Sequence, residues 1–209
     1  MASVQTIVGA GAGDQSSLGV TAAQEAFPHW QYFRSLEAEF EKSLEYVEFS
    51  EKNFATFSTA FVRILLSAAS EVDVLMKQIC SQSTLAKPPK NIDQYRTVVN
   101  QQFPNFHKMR VFVPRYGRVF QPWIDWGSNA NPAWWRAYND VKHERDKYYS
   151  SANLEAAANA VSGLFCTVLF FYRDALAAEK LHPMPVLMST RHTLDSRQVV
   201  RFTLPEIND

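Results

Sequence analysis

Apolar positions recur along this chain at three- and four-residue steps over several long stretches, the period of an α-helix with one buried face. Over residues 31–48 the stripe is Phe33, Leu36, Phe40, Leu44 and Val47. A longer run over 51–82 carries Phe54, Phe57, Phe61, Ile64, Leu65, Ala68, Val72, Leu75, Met76 and Ile79, with no proline or glycine to interrupt it. Ser50 is placed to cap that helix. Lys87, Pro88, Pro89 and Lys90 break the chain, and Asn91 can cap a short helix over 92–102 that stops before Pro104. The period then changes to two. Residues 109–113 and 118–120 flank Pro114, Arg115, Tyr116 and Gly117, which reads as a β-hairpin inserted between helices. After a turn cluster over 125–131, Asn131 and Pro132 open a helix that runs to about residue 149, a capping residue followed by proline at the first helical position. Ser150, Ser151 and Asn153 end it. The last long helix, 154–179, is lined by Ala157, Val161, Leu164, Phe165, Val168, Leu169 and Tyr172. Its small residues Ala156, Ala160 and Gly163 permit close helix contact.

The expected fold is mainly α: an up-and-down helical bundle over 23–182 with a small hairpin near 109–120. Residues 1–22, rich in Gly, Ala, Ser and Thr, read as a flexible leader, and 183–209 as a C-terminal extension in which 199–204 is a candidate edge strand against the hairpin. Gly9, Gly11 and Gly13 brush a phosphate-loop pattern but lack the third glycine at the right spacing and the flanking strand and helix.

Composition narrows the function. With 46% hydrophobic residues in 209, the chain can bury one substantial core. Its 21 Lys+Arg balance 21 Asp+Glu, which argues against coating duplex nucleic acid nonspecifically but leaves room for a local RNA site. Cys80 and Cys166 form neither a disulfide framework nor a metal-ligand spacing, and both fall in apolar helical patterns, so they read as buried small hydrophobes in a reducing compartment. The expectation is a cytoplasmic protein with no membrane span, no metal and no cofactor. The longest apolar run, 164–172, is shorter than a spanning helix needs.

Chemistry concentrates over residues 134–145. At about 100° per residue, seven steps return within roughly 20°, so Arg136 and His143 share one helix face, with Asn139 and Asp140 close to it. A guanidinium, an amide and an imidazole along one stripe can hold a phosphate and move a proton. The same residues also suit an ordinary polar face, with Arg136 and Asp140 at ion-pair spacing. Trp134 and Trp135 are either core anchors or base-stacking rings. Arg110, Arg115, Tyr116 and Arg118 make a basic, aromatic hairpin that either grips RNA or is simply solvated.

The stretch from Trp135 to His143, together with Ser70 to Lys77 on the earlier long helix, resembles the HEPN superfamily (higher eukaryotes and prokaryotes nucleotide-binding domains) over roughly residues 50–178. The resemblance implies a helical bundle and, as in many members, a metal-independent ribonuclease of toxin–antitoxin, antiviral defence or CRISPR systems. Arg136 takes the motif arginine and His143 the motif histidine, with six residues between them. Glu71 or Asp73 takes the acidic companion. Asn139 supports the site, and Lys142 and Arg145, with Arg115 and Tyr116 on the hairpin, add RNA contacts. The chain departs from the motif at Ala137, where a polar residue usually follows the arginine. The family usually joins two such motifs across a homodimer interface, and toxins of this kind pair with an antitoxin or another protein partner. The alternatives are a catalytically inactive HEPN-like module that binds a nucleotide or a protein partner, and a plain structural bundle.

Overall fold

The computed structural model describes residues 26–81 and 88–190. Four helices form the bundle and alternate in direction: α1 (Pro28–Ser43), α2 (Thr59–Ser81), α4 (Ala133–His143) and α6 (Leu154–Phe171). Between them lie α3 (Ile92–Gln102) and a two-stranded antiparallel hairpin, β1 (Val111–Val113) and β2 (Arg118–Phe120). The short helices α5 (Arg145–Tyr148) and α7 (Arg173–Ala177) follow α4 and α6.

The centre of the bundle is the α2–α6 pair. The two helices start together, where Leu154 N donates to Thr56 O at 2.9 Å and Phe57 bridges Asn153, and they run the same way. Fifteen of the eighteen residues of α6 are buried, all but Asn159, Glu155 and Phe171. That helix has the length and hydropathy of a spanning segment, yet 83% of it lies inside the protein, so its apolar surface is spent on the core. α1 packs antiparallel against both helices, with Phe33 stacked on Phe165 at 4.8 Å. α4 packs antiparallel against both as well, on the other side of the pair from α1. Gly163 lets it approach: a Cβ there would meet Trp134 Cζ2 at 2.8 Å.

Several boundaries differ from the sequence reading. Residues 51–82 are not one helix. Ser50 caps only a 3-10 turn at Glu51–Asn53, and Ser58 starts α2, its Oγ accepting from Phe61 N at 3.2 Å. Phe57 is drawn out of the helix by its bridge to Asn153. The helix expected over 132–149 breaks at Glu144 (φ −137°, ψ 56°), which makes His143 the last residue of α4. Asn131 does not cap α4. Its side chain accepts from buried Arg96 and donates to Asp93 Oδ1 at 3.1 Å, locking the preceding turn. The expected last helix ends at Phe171, and a turn at Tyr172 separates α7. By contrast, Asn91 caps α3 as expected, accepting from Gln94 N at 3.0 Å, and Gly117 takes the left-handed turn position (φ +59°) of the hairpin.

The segment after α7 returns across α1. Trp30 Nε1 donates to Pro183 O, and Ser189 exchanges both backbone hydrogen bonds with Phe112, adding one bridge to the β1 edge. The leader 1–22, with its glycine run, and the edge strand expected over 199–204 lie outside the described residues.

Candidate functional site

Burial of one face orients α4. Trp134, Trp135, Tyr138 and Val141 point into the bundle, where the Trp134 indole donates to Pro122 O at 2.8 Å and meets Trp123 edge-on at 5.1 Å. Both tryptophans are core residues, exposed by 3% and 5%, so neither offers a face for base stacking. The opposite face carries Arg136, Asp140 and His143, all exposed, with Asn139 half-buried beside them. At about 1.5 Å per residue, Arg136 and His143 stand roughly 10 Å apart along the axis. Among the described residues, the side chains of Arg136, Asn139 and His143 take part in no hydrogen bond or ion pair.

The flanking cations are differently occupied. Lys142 Nζ donates to Tyr138 OH at 3.2 Å and lies 5.2 Å from that ring. Arg145 is exposed. Lys147 pairs with Glu144 at 3.3 Å and sits 4.7 Å above the Tyr148 ring. Residues 136–147 hold four Lys/Arg against three Asp/Glu, so the field over this face is only weakly positive.

The remaining sequence candidates are placed elsewhere. Glu71 faces α1, where its carboxylate pairs with His29 Nδ1. Asp73 faces α3: it accepts from Tyr95 OH at 3.0 Å and pairs with Lys77. Burial and the Asp73 carboxylate together push the Tyr95 hydroxyl well above its ordinary range. Neither acid reaches α4. At the hairpin, Arg115 Nη1 pairs with Glu41 at 2.6 Å, and Tyr116 packs edge-on against Phe49 at 5.3 Å. The hairpin tip is therefore docked on the C-terminal end of α1, across the central pair from α4. The helix alternation places these groups apart, since α1 and α4 occupy opposite grooves.

Among the described residues, no group of three His, Cys, Asp or Glu could hold a metal ion. The thiols are buried as expected. Burial pushes Cys80 up to about 11 and raises Cys166 further, so neither is a thiolate nucleophile near neutrality.

Two features were not anticipated from the sequence. Glu37, exposed by only 1%, accepts from three consecutive backbone N–H groups, Val186 (3.1 Å), Leu187 (2.9 Å) and Met188 (2.8 Å), and pairs with Arg34. Its position in the Phe33–Leu36–Phe40 stripe was a legible signal, a carboxylate on an apolar face. The second is a groove of about 410 Å³ beside the start of α4, between the first turns of α6 and the 121–125 loop. Nothing in the spacing along the chain marks it, because three distant segments wall it. Comparison with family profiles, with curated proteins and with solved structures finds no match to this chain.

Proposed function

We propose that this chain is a HEPN-like helical protein that acts on RNA as a metal-independent endoribonuclease, in a cytoplasmic toxin or antiviral defence setting, once two copies bring their α4 faces together. The observation that carries this reading is the Arg136–Asn139–His143 stripe, which faces solvent and whose side chains have no hydrogen-bond or ion-pair partner among the described residues. Metal-free RNA cleavage needs a group to take the 2′-hydroxyl proton and a group to neutralise charge on the phosphorus centre. An imidazole, with an unperturbed pKa of about 6.5, suits the first, and a guanidinium fork suits the second. The outer face of a single helix is convex, so a reaction cleft there requires a second surface. A second copy of α4 supplies one, with its own Arg136 and His143.

Purified protein is expected to degrade RNA in EDTA. His143→Ala is expected to lower that rate by about a hundredfold or more, with the melting temperature nearly unchanged because His143 is exposed. Cleavage that persists in His143→Ala removes this histidine from the mechanism.

A second reading is favoured by the engagement of Glu71 with His29 and of Asp73 with Tyr95, which takes both expected acidic companions away from His143. In that reading the chain is a catalytically inactive module, and α4 binds a nucleotide or a protein partner. RNA or nucleotide binding without turnover, weakened by Arg136→Ala, distinguishes it.

A further inference from the structure

We propose that the groove beside α4 is a docking site for an arginine or lysine side chain presented by a partner polypeptide. This inference does not rest on the RNA reading. The groove is about 410 Å³, larger than one side chain requires, and three separate segments of the chain wall it. Trp134 and Pro122 form an apolar floor fixed by the indole hydrogen bond, and Ile124, 47% exposed, stands among its lining residues.

The charged groups that line it, Asp125 and Glu155, are both acidic, and Gln121, Ser151 and Asn153 add neutral polar groups. The carboxylates of Asp125 and Glu155 take part in no hydrogen bond or ion pair among the described residues. Asn159 spends its amide N–H on Glu155 O at 3.0 Å, which leaves its carbonyl oxygen free. Among the described residues, no Lys or Arg lines the groove. A groove with an apolar floor and two unpaired carboxylates fits a side chain with an aliphatic stem and a cationic head, because the stem covers the floor while the head finds charge-assisted hydrogen bonds. The same acids repel phosphate, so the groove is unsuited to a nucleic-acid backbone. An occupant would lie along Ala133 and Ala137 of α4, directly beside Arg136, and would cover that flank of the exposed stripe.

The test is fluorescence anisotropy of the full chain with a labelled hexapeptide of alternating glycine and arginine, against the same peptide carrying citrulline, the neutral isostere. The arginine peptide is expected to bind about tenfold or more tightly than the citrulline peptide, and less tightly as salt is raised. The double variant Asp125→Asn, Glu155→Gln, checked for unchanged circular dichroism, is expected to lose that preference. Equal binding of the two peptides, or a preference that survives the double variant, overturns the proposal. Spermidine that competes as well as the arginine peptide at equal concentration assigns the groove to free polyamines and overturns the polypeptide partner.

Discussion

Glu37 illustrates how a single residue ties distant parts of this chain together. A buried carboxylate is tolerated only when its lone pairs are filled, and here three main-chain N–H groups and Arg34 fill them. Successive N–H groups converging on one anion form a small positive nest, so the segment after α7 is held to α1 by charge as well as by packing. Glu37→Ala leaves the buried Leu187 and Met188 N–H groups without an acceptor and is expected to destabilise the fold by about 3 kcal/mol. Glu37→Gln keeps an acceptor oxygen and is expected to lose less. Urea denaturation measures both, and a Glu37→Ala variant as stable as the parent would show that the strap adds nothing. His143 is the opposite case. Its side chain is exposed and has no partner among the described residues, so its replacement is expected to test activity with little effect on stability.

At the scale of elements, the close approach of α4 to α6 depends on Gly163. Its missing side chain leaves room for the Trp134 ring, and its carbonyl accepts from Trp123 Nε1 at 3.2 Å and Thr167 Oγ1 at 2.8 Å. Alanine has the better helix propensity by about 1 kcal/mol. The added methyl nevertheless meets an indole that cannot retreat, because Pro122 O holds it. Gly163→Ala is therefore expected to destabilise by about 2 kcal/mol, and Trp134→Phe in the same chain is expected to restore part of the loss. A thermal melt in which Gly163→Ala matches or exceeds the parent would sink this account of the contact. Caps show the same competition between local preference and surroundings. Asn91 and Asn153 cap α3 and α6 because their neighbours leave them free. Asn131 is taken by Arg96 and Asp93, and Ser50 by a single 3-10 turn.

For the whole molecule, burial of protonatable groups predicts how stability responds to alkali. A thiol ionises near 9.0 when exposed, whereas Cys80 holds its proton up to about 11 in the fold. Cys166, Tyr95 and Tyr172 are shifted in the same direction, chiefly by burial. A proton bound more tightly in the folded than in the unfolded chain stabilises the fold fully below the unfolded pKa. Stability is thus expected to be intact below pH 9 and to fall as pH rises from 9 towards 11, read as the urea midpoint at each pH. Cys80→Ala is expected to flatten part of that decline, and an unchanged profile in that variant would remove Cys80 as a cause.

The helical class, the hairpin and the apolar faces were legible in the sequence, because a three- to four-residue period and its switch to two are local properties that burial then enforces. The outward direction of Arg136 and His143 was legible for the same reason: Trp134, Trp135, Tyr138 and Val141 claim the other side of α4. Only the tertiary structure decided which candidates meet. Glu71 and Asp73 pair with His29 and Tyr95, and Arg115 and Tyr116 dock on α1, because α1 and α4 fill opposite grooves of the α2–α6 pair. The helix break at Phe57, the clasp around Glu37 and the groove beside Trp134 likewise depend on segments distant along the chain, whose encounter no local pattern encodes.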